Sequence, residues 1–202
     1  ILTLASPGAA NSLGANKAIV IDGVAPAVSS VTSSTANGTY KTGDAISIQV
    51  NLSEAVTVTG TPQLTLETGS TDRTINYTGG TGTSTLTFSY TIQAGDNSVD
   101  LDYVATNSLA LNGGTIRDAA SNNTTLTLAS PGAANSLGAN KALIVDGVIP
   151  TVTSIAPTGG AVSTDISVDF SVNFNESVSN ISSDDFSLST TGSAAGTIAS
   201  VS

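Results

Sequence analysis

The sequence predicts an all-β protein made of antiparallel β-sandwich domains in tandem, and three observations carry that expectation. Apolar and polar residues alternate with a period of two along much of the chain, while helical periodicity is nearly absent. Glycine-rich turn signals interrupt the alternation at short intervals: Asn37-Gly38, Thr42-Gly43-Asp44, Thr78-Gly79-Gly80-Thr81-Gly82, Ala94-Gly95-Asp96-Asn97 and Asn112-Gly113-Gly114. Many short strands with such punctuation over about 120 residues describe two sheets packed face to face. Thirdly, residues 2–26 (LTLASPGAANSLGANKAIVIDGVAP) return as residues 126–150 (LTLASPGAANSLGANKALIVDGVIP). The copies differ only at Ile19/Leu143, Val20/Ile144, Ile21/Val145 and Ala25/Ile149, always one apolar residue for another. Leu2 and Leu126 lie 124 positions apart, the length of a whole module. Solenoid repeats are far shorter, about 20–50 residues, so the period argues for strung beads.

The repeat sets the domain boundaries. Residues 1–26 read as the closing strands and linker of one module, 27–150 as a complete module, and 151–202 as the opening part of another. The last segment is short for an independent core. Taken in order, the expected strands are Val28–Val31, Ala45–Leu52, Gln63–Glu67, Thr74–Tyr77, Ser84–Ile92, a Val99–Val104 stretch, Thr124–Ala129 and Lys141–Asp146, with Val152–Ile155 repeating the first. Within Ser84–Ile92, Leu86, Phe88, Tyr90 and Ile92 take one side and Thr85, Thr87, Ser89 and Thr91 the other, so one face can bury while a hydroxyl face meets water. The Gly79–Gly82 run reads as a hairpin turn. It occurs once, and it lacks the Gly-Lys-Ser/Thr end of a phosphate loop. Phe88, Tyr90, Tyr103, Phe170 and Phe174 fall on apolar faces and are expected in the core; Tyr40 and Tyr77 lie near turns, where exposure is open to them.

Two further correspondences bear on the modular reading. Asp22-Gly23-Val24-Ala25-Pro26 and Asp146-Gly147-Val148-Ile149-Pro150 are the joints, each ending in a proline that restricts the backbone. Ile46–Val56 also aligns by pattern with Ile166–Val178, sharing Val-Asn-Leu/Phe-Ser/Asn-Glu-Ala/Ser-Val and allowing two extra residues.

Composition narrows the chemistry. Fifteen acidic and five basic residues give a net charge of −10, which repels phosphate backbones and anionic headgroups but suits cations. Histidine and cysteine are absent, removing the commonest general base, the usual zinc ligand and every disulfide or thiol. A Ser-His-Asp relay therefore cannot form. Paired carboxylates can hydrolyse glycosides, yet four Phe, four Tyr and no Trp give little to stack a sugar on. No catalysis is expected. Neither nucleic-acid binding nor membrane insertion of this segment is expected, the longest apolar runs being far short of a span.

The acidic residues recur at strand ends and turns. Glu54 and Glu176 close the strand common to both modules, Asp100 and Asp102 lie in AGDNSVDLDY, Asp118 precedes Ala119-Ala120-Ser121-Asn122, and Asp22 and Asp146 sit at the joints. Calcium takes six to eight oxygens from carboxylates, carbonyls, Asn side chains and water. Should strands bring Glu54, Asp118 or Asp102 to the end facing a joint aspartate, bound Ca²⁺ would neutralise their repulsion and fix the angle between modules. Asp100 and Asp102, two apart, would share a face if that segment is extended; such a pair either chelates or keeps a sheet edge soluble.

Several of these stretches resemble the long repeats of giant bacterial extracellular adhesins, the Ig-like or cadherin-like surface and biofilm proteins. They are GTYKTGDAISIQVNLSEAVTVTGTPQLTLETG, INYTGGTGTSTLTFSYTIQAGDNSVDLDY, GGTIRDAASNN and SLGANKALIVDGVIP, and the resemblance covers Gly23 to Pro150. The tail, with PTVTSIAPTGG and VDFSVNFNESVSNISSDDFSL, resembles another Ig-like repeat of that class. The resemblance implies tandem Ig-like sandwiches, an extracellular or cell-surface location and an extender role in cell adhesion, with calcium stiffening the junctions. It places the family's Ser/Asn-Glu-x-Val element on Glu54 and Glu176, its Asp-Ala-Ala-x-Asn element on Asp118 and Asn122, and its Asp-Gly-x-x-Pro joint on Asp22 and Asp146. The partners it implies are adjacent repeats and a host-surface, glycan or matrix ligand. Two other readings stand beside the extender: a module that itself binds a glycan or protein, and an accessory domain of a secreted hydrolase.

Overall fold

The computed structural model describes residues 2–159, 167–192 and 195–201. The chain is mostly β and falls into two compact units, Ile1–Val148 and Ile149–Ser202. In the first unit the strands are β1 (Val28–Ser33), β2 (Gly38–Lys41), β3 (Ala45–Thr59), β4 (Gln63–Glu67), β5 (Arg73–Gly79), β6 (Thr83–Thr91), β7 (Asn97–Ser98), β8 (Asp102–Tyr103), β9 (Leu109–Ala110), β10 (Thr115–Arg117) and β11 (Leu143–Asp146). An eight-stranded antiparallel sheet runs β1-β3-β6-β5-β4-β8, with β10 also on β3 and β9 on β4. A three-stranded sheet, β2-β11-β7, sets β11 parallel to β2 and antiparallel to β7.

Alternation decides which side chains go inside. On β6, Leu86, Phe88 and Tyr90 are buried, and on β3 Ile46, Ile48, Val50 and Leu52 are. Leu143 and Val145 of β11 join the same cluster, so both sheets share one core. β3 is longer than expected. After Asn51 its pairing with β6 shifts at a bulge, and its distal half turns to take β10 as a partner. The Gly79–Gly82 run makes the β5–β6 hairpin. Gly80 there has φ 107°, and a Cβ on it would collide with the Thr85 carbonyl.

Elsewhere the structure departs from the expected elements. Val99–Val104 is no continuous strand; it opens on a bend at Val99–Asp100, just past β7, and only β8 within it is strand. Among the described residues Thr124–Ala129 makes a single isolated bridge, Ala27 to Thr125, with Arg117 to Asn123 just before it. Short strands β2, β9 and β10 appear beside turn signals, in stretches where no strand was expected. Two four-residue helices, α1 (Leu13–Asn16) and α2 (Leu137–Asn140), occupy the repeated segments, each started by a serine whose hydroxyl accepts the N–H three residues on. Tyr40 and Tyr77 are half-buried against the core rather than exposed, Tyr77 meeting Phe88 edge to face at 6.0 Å.

The second unit holds β12 (Val152–Pro157), β13 (Phe170–Phe174) and a 3₁₀ turn at Ser183–Asp185. Its hairpin reproduces the β1–β3 pairing in detail. Val152 faces Phe174 and Ser154 faces Asn173 across a bulge, as Val28 faces Leu52 and Ser30 faces Asn51. Asn173 donates to the Ser154 hydroxyl at 2.9 Å, as Asn51 donates to Ser30 at 3.1 Å. The Thr151 N–H reaches Asn175 Oδ1 as the Ala27 N–H reaches Ser53 Oγ. Of the expected core aromatics here, Phe170 is exposed and Phe174 half-buried; among the described residues of this unit no second sheet covers the two-stranded one. Ile166, which opens the expected match to Ile46, lies outside the described residues.

Candidate metal centre

Three segments distant in sequence converge at one end of the first unit. β3 carries Glu54 within its bulge, between Asn51 and Val56. The Asp118–Asn122 turn follows β10 and is closed by backbone bonds from Ser121 to Asp118 and from Asp118 to Asn122; Ser121 takes a positive φ of 73° at its corner. Asp22 belongs to the joint before β1. One carboxylate oxygen from each of Asp22, Glu54 and Asp118 lies within 4.8 Å of the others, and among the described residues this is the group of three acidic side chains so placed.

Asn122 organises the cluster. Its amide nitrogen donates to Asp118 Oδ2 at 2.8 Å, to the Asp22 carbonyl at 3.1 Å and to the Val24 carbonyl at 3.3 Å. Its backbone N–H donates to Asp118 Oδ1 at 2.8 Å. One side chain thus fixes the turn and pins the joint to it, and its nitrogen is spent on positioning. Asp22 also accepts the Val24 N–H at 3.1 Å, an Asx turn that bends the joint toward Pro26. Beyond the proline, Thr125 donates to the Pro26 carbonyl, and Ser53 and Ala27 exchange two bonds.

The electrostatics follow from this crowding. Partial burial, then the charges of Asp22 and Asp118, push the Glu54 carboxyl above its ordinary pKa. Burial works upward on Asp118 as well. Hydrogen bonds from the Asn122 side chain and from the backbone of Asn122, Ala120 and Ser121 outweigh it, and Asp118 stays below the ordinary value. The donor set is hard oxygen throughout, with two joint carbonyls alongside, and it lacks the nitrogen and sulfur that zinc prefers. Two oxygens each about 2.4 Å from a common Ca²⁺ can be at most about 4.8 Å apart, so the spacing admits a shared ion of that size.

The other expected ligands lie elsewhere. Asp102 is buried on β8 and does not join Glu54 and Asp118: its Oδ1 accepts the Tyr103 N–H and its Oδ2 the Gly132 N–H, both at 2.9 Å. Asp100 lies in the bend before β8 rather than on an extended face. The two carboxylates still converge, since a Cβ on Gly138 would stand 3.1 Å from Asp102 Oδ2 and 3.3 Å from Asp100 Oδ2. Partial burial, then the Asp102 charge, raises the Asp100 pKa. Asp146 ends β11 and accepts the Val148 N–H at 3.3 Å, the same Asx turn that Asp22 makes. Glu176 follows β13 in the second unit, half-buried, with an enclosed Oε1 that has no hydrogen-bond partner among the described residues.

Asp96, whose role the sequence did not announce, is a structural hub. It is 1 % exposed and accepts from Arg73 at 2.7 Å, from the Tyr90 hydroxyl at 2.7 Å and from the Gln93 N–H at 2.9 Å. Burial, then the bond to Asp96, drives the Tyr90 hydroxyl far above its ordinary pKa. The signal available was Ala-Gly-Asp-Asn after a strand with a lone upstream arginine, too common to separate a buried ion pair from a solvated turn. A depression of about 340 Å³ opens on the hydroxyl-rich outer face of β5 and β6 between Arg73 and Gln93. No helix is long and apolar enough to cross a membrane, a statement limited to helices among the described residues.

Neither a protein family, a curated protein nor a solved structure matches the chain.

Proposed function

We propose that this chain is a structural extender of a bacterial surface adhesin, made of Ig-like β-sandwich repeats in tandem and stiffened by Ca²⁺ at the joint. The observation that carries the reading is the meeting of Asp22, Glu54 and Asp118. The joint supplies one carboxylate and the module behind it supplies two, so an ion shared by all three ties the linker to the module. Three carboxylates this close repel one another unless a cation or proton intervenes. Ion binding therefore acts on the one degree of freedom that matters to a rod, the angle of its joint. The hairpin of the second unit supports the tandem part, because it copies β1–β3 down to the bulge and the Asn-to-Ser bond. The adhesin assignment rests on the resemblance of the repeats, and the extracellular location follows from it. No reaction is assigned to the chain; its working parts are repetition and joint stiffness.

Calorimetry of the full chain tests the calcium part. With Ca²⁺ at about a hundred times its dissociation constant, linkage gives about 2.7 kcal/mol, which raises the melting temperature of a unit this size by about 5–10 °C. The Glu54→Gln variant should lose most of that rise. Identical melting in calcium and in chelator would overturn the assignment.

A further inference from the structure

The repeated segment appears twice in the structure, once seated and once bare. In the seated copy Leu128, Leu137, Leu143 and Val145 are 0–3 % exposed. Their counterparts Leu4, Leu13, Ile19 and Ile21 are 91, 70, 60 and 91 % exposed. Even so, the bare copy keeps the seated copy's local structure. Ser12 and Ser136 cap their helices at the same backbone angles to within about 10°, and Asn11 and Asn135 both take positive φ, 66° and 73°. Four backbone bonds repeat one for one: Ala9 to Ser6 and Ala133 to Ser130, Ser12 to Ala9 and Ser136 to Ala133, Asn16 to Ser12 and Asn140 to Ser136, Lys17 to Leu13 and Lys141 to Leu137.

Only the bonds to a module differ. Asn140 donates its amide to the Val31 carbonyl at 2.8 Å, whereas Asn16 folds back on the Ser12 carbonyl at 3.0 Å. A Cβ on Gly147 would collide with the Gln93 carbonyl, while Gly23 has open space around it. Residues 2–26 thus keep the form of the closing segment with their apolar side chains exposed, and 126–150 shows the groove that such a segment fits.

We propose that residues 2–26 dock on a second copy of this chain, taking the place of its residues 126–150. Ile19–Asp22 would then lie parallel to Gly38–Lys41 of that copy, with Ile21 opposite Ser98, in the register of β11. Leu4, Leu13, Ile19 and Ile21 would fill the positions of Leu128, Leu137, Leu143 and Val145. All four differences between the copies are apolar for apolar, so the incoming segment matches the groove in polarity along its whole length. The contact is heterologous, a segment into a groove, and it propagates chain to chain unless it closes reciprocally. This inference rests on the two copies of the segment and not on the calcium centre, so either can fail alone.

The resident segment is tethered and competes at an effective concentration on the order of millimolar. The full chain should therefore be unfolded and refolded at about 1 mM, where a second copy competes with it. The chain has no cysteine, so an Ile21→Cys/Ser98→Cys variant refolded in a glutathione redox buffer reports the docked register. The expected result is disulfide-linked dimers and higher species carrying the 21–98 linkage by peptide mass spectrometry, severalfold above a Val24→Cys/Ser98→Cys control. Adding Leu13→Asp and Ile19→Asp, at exposed positions outside the module core, should return the yield to the control level without lowering the melting temperature. A Val145→Cys/Ser98→Cys variant, closing within one chain, verifies that the pair can bond. Linkage no greater than the control while that pair closes overturns the proposal, and so does linkage unaffected by the aspartates.

Discussion

At the scale of single residues, the candidate centre is a contest between charge and hydrogen bonding. Asp118 and Glu54 are neighbours with opposite shifts, because Asn122 and its turn serve Asp118 while Glu54 receives mainly burial and repulsion. The two contribute to stability in opposite directions. Asp118, depressed in the folded chain, stabilises above its unfolded pKa, and that share disappears as pH falls through the folded value. Glu54, raised, contributes fully below its unfolded pKa, and that share is lost as pH rises through the folded value, leaving a repulsive cluster near neutrality that a cation can relieve. Calcium must displace any proton held by Glu54. The calcium-induced rise in melting temperature should therefore shrink on acidification through the raised Glu54 pKa, and titrations at several pH values check this. The residue types of the cluster were legible beforehand: Asp22, Glu54, Asp118 and Asn122 each sit in a short acidic or Asn-bearing element at a strand end or joint. Asp102 was misplaced, because a sequence position cannot reveal that both its oxygens are taken by backbone N–H groups.

At the scale of elements, strands with strict alternation and a clear turn on each side were readable, and Gln63–Glu67 falls where the pattern put it. The failures have physical causes. Thr124–Ala129 alternates like a strand but makes only the one isolated bridge at Thr125, since pairing needs a partner edge that local sequence does not encode. Helices α1 and α2 are one turn long, too short for a 3.6-residue period to show, and only Ser12 and Ser136 before Leu-Gly-Ala-Asn marked them. The joint glycines give an element-scale prediction. Gly147 packs against the carbonyls of Gln93 and Asp96, with a hypothetical Cβ 2.8 Å from the latter, whereas Gly23 meets nothing. Gly147→Ala should cost about 1–3 kcal/mol by overpacking, while Gly23→Ala should leave denaturant unfolding unchanged. Equal losses at both positions would mean that the seated and bare copies are held alike.

At the scale of the whole molecule, the two units show different degrees of closure. The first closes one core from two sheets, and β11 from the repeated segment contributes Leu143 and Val145 to it. The second carries a close copy of the β1–β3 pairing, with Phe170 and Ile155 exposed. The 124-residue spacing between two near-identical 25-residue segments was legible in the sequence, and the proposed tandem arrangement starts from it. How strands distribute between the sheets was not legible: β2 and β7, which flank β11, are four and two residues long and sit among turn signals. Asp22 of the joint is part of the acidic cluster, so a cation bound there would act on the stiffness of the joint. Spin labels on an Ala18→Cys/Ser89→Cys chain measure it directly by electron–electron double resonance, one label before the joint and one on exposed β6. Calcium should narrow the distance distribution, and adding Glu54→Gln should keep it broad. A distribution of the same width with calcium, with chelator and in the Glu54 variant would contradict a cation-stiffened joint.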